Sequence, residues 1–374
     1  MRLMARLEEK IADSALRLGF ALVGFARVEK LFGREAFFRR WLDEGRAGEM
    51  GWLGRESERR LDPRILDQRL RGVISLAYPY AAPKTPILDW RSQLRGRIAA
   101  YALGPDYHGI VLKRARLVAD RLKAETPESI SRVYVDTGPV FEREWAAEAR
   151  LGWFGRNTNL INRYHGSYFF LAEIFTDVEL DANVQPYDDY CGTCRRCLEL
   201  CPTQALAGGY LMEPRLCISY LTIELRGPIP VELRRKLGNW IFGCDICQEV
   251  CPWNGAETGP VNDELAPRLP ELMNLDGEGF RRRFRASAIK RAKRRGLLRN
   301  VAVALGNSAN REAVAALAPA LETEPEALVR AHVAWALGRL GGAAARRALE
   351  KRRIREADLS VRGELADALA MTCA

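Results

Sequence analysis

The chain has 374 residues, of which 48% are hydrophobic and 28% charged, and its formal net charge is +10. At about 150 residues per domain, this length predicts two or three domains. The composition excludes a disordered chain, a collagen-like repeat and a small disulfide scaffold. No run approaches the ~18 apolar residues of a membrane helix, and charged residues interrupt any apolar core of a signal peptide. We therefore expect a cytoplasmic protein without a membrane partner.

The first 180 residues predict an α/β layer domain, because β-rich segments alternate with segments of helical spacing. Neither a GxGxxG motif nor a P-loop is present, so a dinucleotide or ATP site is not evident. Polar residues at 156–159 follow a glycine-bounded turn and are candidates for ligand contact, with ordinary turn hydrogen bonding as the alternative. In chain order, the predicted elements are a helix at 6–18, strands at 73–78 and 97–103, a helix at 110–123, a strand at 132–135, a turn at 136–139, a helix at 141–151 and a strand at 166–176.

Eight of the nine cysteines lie within 61 residues, and clustered cysteines in a cytosolic protein indicate metal rather than disulfides. From Cys191 onward the spacing C-x2-C-x2-C-x3-C-P is that of bacterial ferredoxins. A second run begins at Cys244 and lacks its first cysteine, since Ile241 stands there; Cys217 is the obvious replacement. Two [4Fe–4S] clusters are predicted, with a zinc or mixed site as the alternative.

The division of these cysteines follows a rule of two-cluster ferredoxins, in which the cysteine before the proline ligates the other cluster. Two complete sets of four result, and Cys373 is left over. The two predicted sets are Cys191, Cys194, Cys197 and Cys251, and Cys201, Cys217, Cys244 and Cys247. Two adjacent clusters conduct electrons, which implies a nearby electron acceptor. The clusters alone do not identify the reaction.

The C-terminal part carries a 32-residue repeat, in which the segment 301–306 aligns with 333–338. Its Ala-rich helices resemble HEAT-type pairs, although the usual period is ~40. Residues 281–374 hold 20 Lys or Arg against 9 Asp or Glu. A local basic stripe is typical of a polyanion binder, with a solubilising face as the alternative. Its densest basic residues are Arg281, Arg282, Arg283, Arg285, Lys290, Arg291, Lys293, Arg294, Arg295 and Arg299.

A distinctive ordered set of motifs consists of RRLDPR (59–64), VDTGPVFEREWAAEARLGWFGRNTNLI (135–161), GSYFFLAEI (166–174), the ferredoxin run, CISYLTIELRGPIP (217–230) and FGCDICQEVCPWN (242–254). Together they closely resemble the epoxyqueuosine reductases, a family of bacterial tRNA-modification enzymes. The resemblance covers essentially the full chain, including a HEAT-like C-terminus and a second run with only three of its four cysteines.

The resemblance implies reduction of epoxyqueuosine to queuosine at the wobble position of tRNA, the last step of queuosine biosynthesis. It also implies a cobalamin cofactor held without a histidine ligand, which no motif of the chain reveals. Cob(I)alamin fed by the two clusters would remove the epoxide oxygen, and an acid would protonate the leaving alkoxide. The implied fold is shared with reductive dehalogenases, so the alternative enzyme is a corrinoid-dependent reductase of a small molecule. A non-enzymatic electron carrier is the third hypothesis.

Asp136 is the candidate acid, because VDTGP matches the family's catalytic motif; without the resemblance it is typical of a turn residue. A neutral carboxylic acid requires a raised pKa, which burial against the corrinoid would supply. Glu142 and Glu144 are alternatives. The expected cobalamin contacts are Arg60, Tyr101, Asn157, Thr158 and Ser219, and Arg226 joins the basic run as an expected RNA contact.

The predicted architecture is mixed α+β/α-β in three parts. Residues 1–180 form a cobalamin-binding catalytic domain, 181–260 a ferredoxin-like domain with two clusters, and 261–374 a basic HEAT-like domain that binds tRNA. The expected partners are the tRNA and an external low-potential donor of the flavodoxin or ferredoxin type, and we expect a monomer.

Overall fold

The computed structural model describes residues 6–80, 89–182, 187–255 and 262–372. Helices and strands alternate in the N-terminal part. Its strands are β1 (Leu22–Arg27), β2 (Gly72–Pro79), β3 (Arg97–Ile98), β4 (Ser131–Tyr134), β5 (Trp153–Phe154), β6 (Leu160–Ile161) and β7 (Phe169–Thr176). Its helices are α1 (Leu7–Arg17), α2 (Phe32–Asp43), α3 (Trp52–Arg55), α4 (Ser57–Leu61), α5 (Tyr107–Glu125) and α6 (Glu142–Glu148).

Short elements carry the cysteines and longer helices follow. The cysteine segment contains α7 (Arg196–Glu199), α8 (Ile218–Ile223), α9 (Val231–Arg234), β8 (Trp240–Phe242) and α10 (Ile246–Glu249). The C-terminal helices are α11 (Leu269–Met273), α12 (Gly277–Arg283), α13 (Lys293–Asn307), α14 (Val314–Thr323), α15 (Ala327–Leu340), α16 (Gly342–Arg355) and α17 (Leu359–Met371). Within the described ranges, no helix has the length and hydropathy needed to cross a membrane.

The main sheet has the strand order β1-β2-β7-β4, and every neighbouring pair is antiparallel. Side chains alternate between its faces. Ile74 and Ile174 pack with α1 and α5 on one face, and Phe175 packs with α6 on the other. The loop from β4 to α6 therefore leaves the sheet at its edge, next to the start of α6.

The predicted strand at 97–103 is wrong for most of its length. Only Arg97–Ile98 forms a strand, and Ala100–Ala102 forms a 3₁₀ turn. This strand pairs in parallel with β8, so its apolar neighbours are buried against the cysteine segment and not in the main sheet. The other predicted elements are confirmed within a few residues, namely the helices at 6–18, 110–123 and 141–151 and the strands at 73–78, 132–135 and 166–176.

The helical repeat recurs as one contact between successive helices. A Cβ placed on Gly306 in α13 would lie 2.9 Å from the Cα of Ala336 in α15. A Cβ placed on Gly338 would lie 2.7 Å from the Cα of Ala368 in α17. Both glycines permit close approach of the two helix backbones. The residues of the second contact lie 32 residues after the corresponding residues of the first. The predicted period is confirmed.

One core joins the helical part to the cysteine segment, and Arg299 lies inside it with none of its surface exposed. Its neighbour Asn300 donates to the carbonyls of Thr222 and Ile241, both at 2.8 Å. The prediction of Arg299 as a nucleic-acid contact is wrong, because its donors are occupied inside the protein. They reach the carbonyl oxygens of Leu221 at 2.6 Å, Leu225 at 2.8 Å and Gly227 at 2.7 Å.

Replacing Arg299 tests this buried anchor. Arg299→Ala leaves three buried carbonyls unpaired, and we expect a loss of about 3–5 kcal/mol of stability. The matched control Arg281→Ala removes an exposed arginine of α12 and should change stability by less than about 0.5 kcal/mol. Thermal melting of both variants is the measurement. An Arg299→Ala variant that melts like the wild type but binds tRNA more weakly would contradict the anchor.

Candidate active site and cysteine centres

The loop after β4 presents Asp136 at the edge of the sheet. Asp136 has a φ of 56°, in the left-handed region that side-chain-bearing residues rarely adopt. A Cβ on Gly138 would lie 2.3 Å from the ring of Tyr134, so the chain turns back over its own strand. Arg60 is buried, and its Nη1 donates to the carbonyls of Gly138 and Val140 at 3.3 Å. These contacts hold the turn in the conformation that exposes the carboxyl group.

Two side chains from the first turn of α5 bind the Asp136 carboxylate. Tyr107 Oη donates to Asp136 Oδ2 at 2.9 Å, and His108 Nε2 lies 2.9 Å from the same oxygen. The other ring nitrogen, Nδ1, is 2.5 Å from Oδ1 of Asp106, whose Oδ2 pairs with Lys290 at 2.8 Å. The Asp136 side chain is still 56% exposed, so a substrate can reach it.

Hydrogen bonding decides where the proton of this cluster lies. Burial raises the pKa of Asp136, but the hydrogen bonds from His108 and Tyr107 outweigh it and hold the pKa below its ordinary value. The hydrogen bond to Asp136 raises the pKa of His108, and the bond to Asp106 adds to this against the effect of burial. These two directions favour the shared proton on His108 over Asp136. The raised pKa of Asp136 that burial against a corrinoid would supply stays a prediction.

A second carboxyl group, Glu142, contacts the same loop. One of its oxygens accepts the backbone N–H of Asp136. Burial and the neighbouring Asp136 charge raise the pKa of Glu142 to about 8. Glu142 therefore holds a proton at neutral pH directly beside Asp136. Glu144 is engaged elsewhere, in an ion pair with Arg34 at 2.8 Å.

The residues expected to contact a cofactor separate into two groups. Tyr101 lies at the Asp136 site, with its ring 6.1 Å from that of Tyr107 and 6.1 Å from that of Phe242. Arg60 supports the Asp136 loop, as described above. Thr158 has a φ of 64°, and its carbonyl accepts a hydrogen bond from Arg143. Direct cofactor contacts of these three residues stay predictions.

Asn157 and Ser219 lie among the cysteines. Asn157 is 4% exposed, and its amide donates to the Cys247 carbonyl at 3.2 Å. Asn157 also lines the open cavity beside the cysteines, and its contact with a corrin amide stays a prediction. Burial raises the pKa of Cys217, and the backbone N–H groups of Tyr220 and Ser219 oppose this by hydrogen bonding to its sulfur. Ser219 therefore supports a cysteine, and its cofactor contact stays a prediction.

The structure brings four cysteines of one predicted set around a single open cavity. Burial and the neighbouring thiols raise the pKa of Cys197 to about 11. Arg156 and Arg196 also line this cavity. The four cysteines are Cys191, Cys194, Cys197 and Cys251.

The second predicted set also lies together. Burial raises the pKa of Cys244 well above its ordinary value, with Cys247 and Cys217 as neighbouring charges. Cys201 is close enough to Cys217 and Cys247 to affect the pKa of each, and Cys197 of the first set also affects Cys247. The two sets are therefore adjacent.

These surroundings fit [4Fe–4S] clusters. Within the described ranges, no three His, Cys, Asp or Glu side chains converge on a point where a single metal ion would bind. Four thiols instead surround a cavity, which is the arrangement a cubane requires. The eight described cysteines are all free, and cluster binding would deprotonate them. The assignment of each cysteine to one cluster stays a proposal.

The basic run is only partly available to a polyanion. Arg291 pairs with Glu224 at 2.7 Å, and Arg294 pairs with Glu324 at 2.6 Å and is 21% exposed. Arg226 donates to the carbonyls of Ile223 and Arg291. Arg294 is thus largely occupied, and Arg295 is half-buried. The exposed members are Arg281, Arg282, Arg283, Arg285, Lys290, Arg291 and Lys293.

Comparison with known proteins agrees with this organisation. The family model described as "4Fe-4S double cluster binding domain" matches residues 190–254, and "HEAT repeats" matches 284–370. The model "Epoxyqueuosine reductase QueG, DUF1730" matches residues 60–137. An epoxyqueuosine reductase of Pseudomonas aeruginosa is 41% identical over 345 residues, which cover 90% of this chain and 95% of that protein. The chain belongs to the epoxyqueuosine reductase family.

Further members of this oxidoreductase family are similar over the same span. The epoxyqueuosine reductase of Escherichia coli is 36% identical, with 89% of each chain covered. A solved structure of the enzyme from Streptococcus thermophilus has a TM-score of 0.86 at 28% identity, covering 97% of this chain and 98% of that one. Another, solved with an epoxyqueuosine-modified stem loop of tRNA-Tyr, has a TM-score of 0.89 at 27% identity, covering 98% and 99%.

Sequence reasoning missed the residues that hold Asp136. Tyr107 and His108 were not predicted as site residues, and they lie almost 30 positions before Asp136. One local signal was present, since Asp106 caps α5 by accepting the N–H of His108. A histidine in the first turn of a capped helix is typical of a structural position, so only the fold connects it to Asp136.

Paired cysteine substitutions test the crossover between the clusters. The reconstituted wild type should hold about eight iron atoms per chain. Cys191→Ala with Cys251→Ala removes two ligands of one set, so about four iron atoms should remain. Cys191→Ala with Cys201→Ala disrupts both sets and should leave almost none. Iron and sulfide analysis is the measurement, and Cys373→Ala is the control with full iron content. The reverse result for the two pairs would mean that each run ligates its own cluster.

Proposed function

We propose that the chain reduces epoxyqueuosine to queuosine at the wobble position of tRNA. The observation that carries this proposal is the exposed Asp136 carboxylate bound to His108, in a chain of this family. Removing the epoxide oxygen consumes two electrons and two protons and yields the cyclopentene and water. The chain must therefore bind the modified nucleotide, supply protons and conduct electrons.

Asp136 delivers a proton that His108 holds. Asp106 fixes the histidine ring through Nδ1, so Nε2 faces the Asp136 carboxylate. A proton passes from Nε2 through Asp136 Oδ2 to the oxygen that leaves the ring. Tyr107 donates to the same carboxylate oxygen and keeps it oriented. General acid catalysis of this kind contributes about 10²–10⁴-fold to a rate.

Cobalamin is the cofactor that we assign to the space beside Asp136. When bound, cobalamin supplies the electrons that reduce the epoxide. The surroundings fit this group, because the Asp136 carboxylate is exposed and Tyr101 borders it. His108 is held between two carboxylates and is not free to ligate a metal. The residues that we expect to hold the cofactor are Arg60, Tyr101, Asn157, Thr158 and Ser219.

Electrons enter on the side of the open cysteine cavity. Arg156 and Arg196 line this cavity, and Arg163 and Arg195 are exposed nearby in the sequence. A basic rim suits an acidic, low-potential donor of the flavodoxin or ferredoxin type. The second cysteine set includes Cys217, which packs against the same core as Tyr101. We therefore assign this set to the cluster that passes electrons on towards the Asp136 site. The monomeric state stays a prediction.

The tRNA binds across the exposed arginines after α11. Arg281, Arg282, Arg283 and Arg285 face solvent, and Lys290 pairs with Asp106 at the Asp136 site. A tRNA whose phosphates contact these arginines would therefore extend to the Asp136 carboxylate. The target base must leave the anticodon stack to reach this site, as for other enzymes that act on bases.

Substitution of the acid pair tests the reaction. Protein reconstituted with iron, sulfide and cobalamin is given a low-potential reductant and epoxyqueuosine-modified tRNA, and the digested nucleosides are weighed by mass spectrometry. The wild type should remove one oxygen, and Asp136→Asn should lower kcat by about 10²–10⁴-fold. Because Asp136 raises the pKa of His108, activity should be present below that pKa and fall above it. His108→Gln should move this fall to lower pH.

Wild-type protein that holds both clusters and cobalamin but removes no oxygen would overturn the proposed function. A small-molecule corrinoid reductase would then be the better hypothesis. Full activity in Asp136→Asn would keep the reaction and discard Asp136 as the acid.

Salt dependence tests the RNA surface. Replacing the four exposed arginines by glutamine should weaken tRNA binding, and the slope of log K against log salt should fall by about 0.7–0.9 for each phosphate that the variant no longer neutralises. A control with the same reduction of charge should keep the wild-type slope; unchanged binding in the first variant would discard this surface. The first variant changes Arg281, Arg282, Arg283 and Arg285, and the control changes the exposed residues Arg17, Lys113, Arg116 and Lys123 on α1 and α5.

A further inference from the structure

Glu173 is a buried carboxyl group that the mechanism above does not use. It lies in β7 with none of its surface exposed. Ser75, its cross-strand partner in β2, donates to its Oε1 at 2.9 Å. Its Oε2 is buried and has no hydrogen-bond partner among the described residues. A polar atom of this kind is rare in folded proteins and requires an explanation.

A proton on Oε2 explains this atom. Burial raises the pKa of Glu173 well above its ordinary value, and the nearby Glu142 raises it further, against the hydrogen bond from Ser75. An ionised carboxylate without a cationic partner is costly in the interior, so the group stays neutral. Because Ser75 donates to Oε1, the proton lies on Oε2, and the O–H group needs an acceptor.

The direction of the Glu173 side chain identifies that acceptor. Neighbouring side chains of a strand point to opposite faces of the sheet. Ile174 faces α1 and α5, so Glu173 lies on the other face. Phe175 lies on that same face and packs against α6. Glu142 is the first residue of α6. Trp145, one turn later, also has a buried Nε1 without a partner. Glu142 is the carboxyl group whose charge acts on Glu173. Because Oε2 has no direct partner, one ordered water between the two groups would supply the acceptor.

Glu142 in turn contacts the catalytic loop, because its oxygen accepts the Asp136 backbone N–H. The other charged groups around it are Asp136, His108, Arg143 and Arg60. None of them forms a side-chain ion pair with Glu142 in the described part of the chain. The reaction consumes two protons per turnover, and His108 with Asp136 holds only one of them.

We propose that Glu142 and Glu173 form a proton-holding carboxyl pair that supplies the second proton of each turnover. This inference rests on the proposed function. Two electrons from the low-potential donor and two protons convert the epoxide to the alkene and water. One proton comes from His108 through Asp136. The other comes from Glu142, which regains a proton from solvent after each turnover. Glu173 keeps its own proton and orients Glu142, so it is a positioning residue.

Infrared spectroscopy and kinetics test the pair in the full, reconstituted chain. The wild type at neutral pH should show the C=O stretches of two protonated carboxylic acids. Glu173→Gln should remove one band and shift the other, and Glu142→Gln should do the converse. Glu142→Gln should lower kcat on the order of 10²-fold and Glu173→Gln about tenfold, with KM for tRNA and iron content unchanged. Small weak acids in the buffer should restore part of kcat in both variants. Glu148→Gln, an exposed position on α6, should match the wild type in every respect.

Absence of acid bands in the wild type, or persistence of both bands unshifted in Glu173→Gln, would overturn the pair. A loss of kcat that added weak acids do not restore would reduce both residues to structural roles and also overturn it. If the wild type shows the acid bands but removes no oxygen from tRNA, the proposed function fails, and with it the role of the pair as a proton source. The two failures are therefore distinguishable.

Discussion

The arrangement of the three parts depends on the buried hydrogen bonds of Arg299 and Asn300. These side chains occupy backbone carbonyls at the end of α8 and in β8. Helix α8 begins directly after Cys217, and β8 ends two residues before Cys244, so the same bonds place two cysteines. A buried carbonyl left unpaired costs about 1–3 kcal/mol. The helical repeats therefore cannot separate from the cysteine segment without a large loss of stability.

The same anchoring brings the helical part to the catalytic loop. The chain just before α13 carries Lys290, which pairs with Asp106, and Asp106 orients His108. A residue of the C-terminal part thus fixes the ring that serves Asp136 in the N-terminal part. Asp136 with His108, the exposed arginines and the cysteines belong to one connected structure, which is what the proposed coupling of electrons, protons and a bulky RNA requires.

The pKa values of Asp136 and Glu142 shift in opposite directions because the surroundings of the two carboxyl groups differ. Asp136 receives hydrogen bonds from Tyr107 and His108, which stabilise its charge and lower its pKa. Glu142 is buried beside that charge without a comparable donor, and its pKa is raised to about 8. Environments that separate the pKa values of neighbouring groups assign them different roles in proton transfer. The residue types alone carry no such distinction.

The sequence by itself determined the features that depend on local order. Cysteine spacing predicts the clusters, β-rich segments predict β2, β4 and β7, and the 32-residue period predicts the repeating helices. The motif around Asp136 was also sufficient to single out that residue and its family. Only the tertiary structure decided that Arg299 is an internal anchor, that Asn157 lies among cysteines, that His108 contacts Asp136, and that Glu173 is buried beneath the same loop. The physical reason is that burial and charge depend on groups brought together through space, and these lie from tens of residues to well over a hundred apart in the chain.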